Sequence, residues 1–360
     1  MIINFHHVSA AGSIELVSVN VPFTNLQWTR KLSTCGEFAM EMACPLPVEW
    51  PGRYIVTSDE RDEVGVIEKV ESGDGTVTVS GRFAECLFDR YQFGPTGAAA
   101  RGANWRQAVT AALSAWHEND IPPVTMGTGT QASSGTSYAI SGGAGDSAME
   151  TIYSCTAGNG ARPLIAYDRE TDSAHMTARI IDGVDRTRSQ SAVPPVVLAA
   201  YLGSAQAVDY TGDYSTACSE VIAYAGKETD GSKTAVSRTV AVPGFDAAIQ
   251  WKARAYEDVG SLLDQDATPT AALVDSAGLL RTYDHMPDLA VTCTVGGWGY
   301  LTDWDLGDLV EAELPEMGIT ATARIEEVRE IWKPGESPGV EADVGTKRIS
   351  RVRRALMGRR

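Results

Sequence analysis

Two stretches near opposite ends of the chain alternate apolar and polar residues at period two about a tight turn, which restricts each end to antiparallel β structure. Toward the N-terminus, Val77, Val79, Gly81 and Phe83 fall on one side of such a strand, and Ser72-Gly73-Asp74-Gly75 turns it back onto residues 64–71. Toward the C-terminus, Val310, Ala312 and Leu314 alternate with Glu311 and Glu313, while Ile319, Ala321, Ala323 and Ile325 alternate with threonines and Arg324. Pro315-Glu316-Met317-Gly318 supplies the turn between them. A strand patterned this way must bury its apolar face, so each end is expected to be a strand-rich unit with a core.

The middle of the chain has a different periodicity. Asn104 is placed to cap a helix in which Trp105, Ala108, Val109, Ala112, Leu113 and Trp116 recur on one face. The capping box Ser147-x-x-Glu150 opens a second helix, and Gly158 stops it. Residues 162–167 and 175–181 then read as paired strands joined by Asp168-Arg169-Glu170-Thr171-Asp172. From 188 onward β character returns at 193–202, 221–225 and 289–295, interrupted by a weakly helical stretch at 257–283. A chain of 360 residues exceeds one ordinary domain. The expected class is therefore a β-rich α+β multidomain protein, with 1–95 as an N-terminal β domain and 96–187 plus 227–288 as an α+β middle region. A second β domain is assembled from 188–226 plus 289–346, and 347–360 form a basic tail.

Charge is unevenly spread. The chain carries −17, yet Lys347, Arg348, Arg351, Arg353, Arg354, Arg359 and Arg360 crowd its last fourteen residues without one acid, so residues 1–346 carry −17 − 7 = −24. A body that acidic repels a nucleic-acid backbone. Like charges as dense as the tail's resist compaction, so the tail is expected to be a solvated arm or to dock on an acidic partner.

Six cysteines at 35, 44, 86, 155, 218 and 293 make no C-x-x-C pair, so neither a zinc site nor a disulfide framework is expected. They read as small buried residues. His6 and His7 would point to opposite faces of a strand, which prevents both from reaching one metal. No cofactor is expected. No run of 18 apolar residues and no signal-peptide pattern is present, so synthesis in a cytoplasm without stable membrane insertion is expected. The Gly/Ser/Thr-rich stretch 121–145 lacks the lysine of a phosphate-binding loop, and Ser137 lacks the second glycine of a nucleophile elbow. H-E-x-x-H is absent. Asp303, Asp305, Asp308 and Glu326-Glu327 superficially allow the paired-carboxylate chemistry of a cell-wall hydrolase. Trp298, Tyr300 and Trp304 allow an aromatic platform for a carbohydrate or receptor, and a β-domain core or a subunit contact accounts for them equally well. No catalytic residue is assigned.

Gly183-Val184-Asp185-Arg186-Thr187 ends one alternating strand. Its glycine permits a sharp corner, and an Asp followed by an Arg can cap or pair within it, which favours a turn with a local ion pair over a binding site. Gly307-Asp308 likewise reads as a turn with a turn acid.

These pieces also carry a resemblance. Trp28 followed by Gly36-Glu37-Phe38, then 64–71, Gly183-Val184-Asp185-Arg186-Thr187, Leu306-Gly307-Asp308-Leu309-Val310, residues 323–328 and Val344-Gly345 are similar, in that order, to the tail-tip (baseplate) hub proteins of long-tailed bacteriophages. The resemblance implies two β-barrel-like tube domains flanking the α+β region and a non-enzymatic virion protein of the tail tip. It further implies a homotrimeric ring that adapts a sixfold tube to a threefold tip and surrounds a DNA channel. The implied partners are the distal tail protein, the tape-measure protein and tip or fibre proteins, and DNA would pass without sequence-specific binding.

Overall fold

A computed structural model describes residues 1–89, 91–116, 124–126, 138–168, 175–229, 232–242, 245, 247–248, 250–260, 268–282, 285, 288–295 and 298–345. The basic tail, Ser137 and most of the 121–145 loop lie outside them. The chain forms two compact units, one of Met1–Val208 with Thr292–Val344 and one of Asp209–Val291 with Gly345.

In chain order the first unit begins with β1 (Ile3–Val8), β2 (Ile14–Ser18), β3 (Asn25–Lys31), β4 (Glu37–Ala43), β5 (Tyr54–Ser58), β6 (Gly65–Gly73) and β7 (Thr76–Phe83). A short helix α1 (Cys86–Asp89) follows, then β8 (Ala98–Gly102), α2 (Trp105–Ala115), β9 (Val124–Met126), β10 (Tyr138–Gly142) and α3 (Ala148–Gly158). Next come β11 (Ala161–Asp168), β12 (His175–Asp182) and β13 (Val197–Ala199). The chain crosses into the second unit along β14 (Ala205–Asp213), whose successors are β15 (Glu220–Thr229), β16 (Ser232–Ala241), β17 (Arg254–Asp258) and α4 (Ala271–Thr282). It returns along β18 (Asp288–Val295) and finishes with β19 (Leu309–Leu314), β20 (Ile319–Trp332) and β21 (Gly339–Gly345).

The β6–β7 hairpin forms where the alternation places it. Asp74 and Gly75 take φ of +52° and +79°, the pair of left-handed residues that a two-residue hairpin needs to match strand twist. Val77, Val79 and Phe83 are buried on one face. The β19–β20 hairpin closes through a 3-10 turn at Pro315–Met317, with Gly318 left-handed at φ +66°. Here the sequence pattern understates the strand. β20 runs for 14 residues, and its second half leaves β19 to pair antiparallel with β3, Glu327 opposite Lys31 through Trp332 opposite Leu26.

The two alternating ends therefore belong to one sheet, in which nine strands of the first unit follow the order β21-β20-β3-β4-β7-β6-β5-β1-β2. The resemblance implies two barrels; among the described residues this strand path stays open. It curls nonetheless, because Ile3 and Phe5 of β1 share a core with Leu26 and Trp28 of β3, five places away in strand order. Trp28 is fully buried in that core against Phe38 and Phe83, with ring centroids 5.9 and 4.7 Å away.

A second core of this unit lies between the sheet and the helices. Asn104 caps α2 by accepting the Gln107 amide, and Ser147 caps α3 by accepting the Glu150 amide. The α2 stripe Ala108, Val109, Ala112 and Leu113 packs with Met149 and Ile152 of α3 and with Ile165 and Met176 of the paired strands β11 and β12. In the second unit, β15 pairs antiparallel with β16 and parallel with β17. Val274 and Ala277 of α4 pack on Ala223 and Ala225. Gly278 lets the helix approach, since a Cβ there would lie 2.6 Å from that of Ala223. Where the sequence reads as weakly helical, at 257–283, the described residues include the end of β17 and the helix Ala271–Thr282.

Among the described residues, Cys35, Cys86 and Cys218 are buried, Cys155 is half-buried and Cys44 is exposed. No helix of the described residues is long and apolar enough to cross a membrane.

Candidate functional site

The two glycine corners singled out in the sequence, more than a hundred residues apart, lock into each other. Gly183 follows β12 and donates its amide to Gly160 O at 2.9 Å. Its bare Cα is pressed against the second corner, so a Cβ would sit 1.8 Å from Gly307 O. Gly307 itself adopts φ +90°, a conformation that penalises a side chain. Asp308 then organises both corners. Its Oδ1 accepts the Val184 amide at 2.7 Å, and its Oδ2 accepts Arg186 Nε at 2.6 Å and the Asp305 amide at 3.0 Å.

Backbone bonds complete the seam. Leu309 N donates to Val184 O at 2.9 Å, and Arg186 N donates to Leu309 O at 2.8 Å. The turn reading for Gly307-Asp308 matches this geometry, whereas the ion pair at the first corner is not local. Asp185 accepts the Thr187 amide and hydroxyl, which hold its carboxyl below the usual range, while Arg186 reaches across to Asp308. An acid two residues before a Thr makes an Asx-type turn more cheaply than it bends toward the adjacent guanidinium.

A second constellation, not legible in the sequence, lies under the β3–β20 pairing. Arg30 of β3 donates from Nε to Glu63 Oε1 at 2.7 Å and from Nη1 to Asp305 Oδ1 at 2.6 Å and Tyr300 Oη at 2.5 Å. Arg162 of β11 donates to the same Glu63 oxygen at 2.8 Å. Burial alone would raise the Glu63 carboxyl, but Arg30 and Arg162 together outweigh it and hold the group at about 2. Beside it, Arg61 forks onto Glu330 of β20, whose side chain is fully buried, and its guanidinium lies 5.6 Å from the Tyr300 ring and 5.7 Å from that of Trp332. The cluster ties β3, β11, β20 and the 299–305 loop into one charged, water-poor joint.

This joint absorbs the residues that could have suggested a catalyst or a sugar platform. Asp305 and Asp308 are both engaged as described, Asp303 accepts the Gly299 amide, and Glu327 pairs with Arg329. Trp304 is 1% exposed, Tyr300 lies against it with centroids 4.8 Å apart, and Trp298 donates to Val197 O. The seven cations of Lys347, Arg348, Arg351, Arg353, Arg354, Arg359 and Arg360 lie outside the described residues.

Residues 148–346, more than half of the chain, match the family described as Siphovirus ReqiPepy6 Gp37-like protein, and the chain belongs to that family. No curated protein matches it. Three solved structures share its fold over nearly the full length of both chains. A tail protein from Neisseria meningitidis MC58 is 14% identical with a TM-score of 0.55, covering 96% of this chain and 97% of that one. The 43 kDa tail protein of prophage MuSo2 from Shewanella oneidensis is 17% identical with a TM-score of 0.53, covering 96% and 98%. Prophage tail protein gp18 from Listeria monocytogenes EGD-e is 9% identical with a TM-score of 0.56, covering 99% and 98%.

Proposed function

We propose that this chain is a structural tail-tip hub subunit, three copies of which form a ring around the DNA channel and adapt the sixfold tail tube to a threefold tip. The observation that carries the reading is the β3–β20 pairing with the charged joint beneath it, which makes both alternating ends of one chain a single stiff piece. A ring subunit that must offer two like-shaped β modules in fixed register needs such a link. On this reading 1–95 and 188–226 plus 289–346 are the two tube modules, and 96–187 plus 227–288 are the α+β middle region. Neighbouring copies and the distal tail, tape-measure and tip or fibre proteins complete the strand path that stays open in one chain. The −24 of residues 1–346 keeps passing DNA from sticking, and the role is non-enzymatic.

Light scattering and imaging of assembled particles test this. A species near three times 38.4 kDa, located at the tail tip, is expected. A chain that stays monomeric alone and with its neighbours, and is missing from the tip, overturns the reading. The tail 347–360 is proposed to dock on an acidic surface of a neighbouring subunit, so its deletion weakens assembly at physiological salt; unchanged assembly removes that docking role.

A further inference from the structure

Neither constellation described so far uses Glu85. It follows β7 at the entry to α1, is 2% exposed, and accepts the Ile165 amide of β11 on Oε1 at 2.9 Å. Its other oxygen, Oε2, is buried and has no hydrogen-bond partner among the described residues. The groups that face it are the Cys35 thiol between β3 and β4, the Tyr153 phenol of α3, Arg162 of β11 and Glu63 ahead of β6. Arg82 and Asp89, next to Cys35, are paired with each other at 2.7 Å. Arg162, a cation acting on Glu85, is hydrogen-bonded to Glu63. A buried carboxylate with one oxygen unpaired is costly, and a proton on that oxygen removes the charge.

We propose that Glu85 is held as the neutral acid in the folded chain and forms a proton-operated clasp joining the β7–α1 turn to β11 and α3. Burial pushes this carboxyl up to about 7, against the opposing pull of the Ile165 amide and Arg162. Burial raises Cys35 and Tyr153 as well, so both of these neighbours stay neutral over the same pH range. The sign follows from the ordinary value of 4.5 in the unfolded chain. The folded state binds the proton more tightly, so the contribution is full below about 4.5 and is lost as pH rises through about 7. Above neutrality the charged clasp loosens the packing of β11 and α3.

The test compares the full-length chain with Glu85→Gln, which keeps the acceptor to Ile165 and cannot ionise. The wild-type folding constant relative to the variant is expected to fall about tenfold per pH unit between about 4.5 and about 7, roughly 300-fold in all. Parallel stability profiles for the two chains overturn the proposal. Should the variant not fold, carboxyl carbon-13 spectra of the wild type decide it: a glutamate signal with its midpoint near 7 supports the clasp, and every glutamate titrating below about 5.5 refutes it.

Discussion

Asp308→Ala and Arg186→Ala remove opposite ends of one ion pair, yet the structure demands unequal costs. Asp308 is almost fully buried and accepts three donors, the Val184 and Asp305 amides and Arg186 Nε. Three bonds to one charged carboxylate, at about 1.5–2 kcal/mol each, put the loss near 5 kcal/mol. Arg186→Ala leaves Asp308 with both amides. The arginine side chain is 17% exposed, so its share of solvent discounts that loss to about 1.5 kcal/mol. The double variant should cost little more than Asp308→Ala alone, because the guanidinium stranded by the first change is gone, and the cycle should show a coupling of about 1–2 kcal/mol. Urea unfolding followed by tryptophan fluorescence suits the measurement, since all eight tryptophans except Trp251 belong to the first unit. Equal costs for the two single variants, or an additive double, would refute the claim that Asp308 organises both corners.

Gly183→Ala should destabilise the first unit by about 3 kcal/mol or more, because the new Cβ meets the backbone carbonyl of Gly307, which has no rotamer to escape through; a thermal midpoint within 2 °C of wild type counts against the interlock. Glu63 gives the opposite pH sign to Glu85: with its folded value at about 2 and its unfolded value at 4.5, its contribution is full above about 4.5 and lost as pH falls through about 2. Acid titration of Glu63→Gln should therefore lack the wild-type loss below about 4.5, while at neutral pH the variant takes the shared carboxylate from Arg162 and leaves Arg30 with Asp305 alone as its counter-charge, at a cost of about 3–5 kcal/mol. Asn104→Ala should cost about 1 kcal/mol through the uncapped Gln107 amide, seen as faster hydrogen exchange in the first turn of α2 and nowhere in the β6–β7 hairpin.

Local signals were strong wherever the physics is local. The Ser72-Gly73-Asp74-Gly75 hairpin, both helix caps, the α2 stripe and the β11–β12 pair all follow from residues within a few positions of one another. Glu311 shows where such reasoning stops. Its alternation marks it as solvent-facing, but β13 pairs with β19 on the side away from β20, and the carboxyl ends up buried, accepting the Arg188 amide at 2.8 Å. The Arg30 cluster left no trace in the sequence because a charged residue at a strand position looks the same whether water or a distant partner compensates it.

Alternation, turn chemistry and caps thus determined which segments are strands and helices and that the two ends are β structure, since each of those choices is settled within a turn or a hairpin. Only the tertiary structure decided that β20 outgrows its hairpin to join β3, that Arg186 prefers Asp308 to the neighbouring Asp185, and that Glu63 rather than solvent answers Arg30. Those outcomes depend on which buried charges and open strand edges meet once the chain has collapsed, and a partner from 33 to about 300 positions away leaves no periodicity to read.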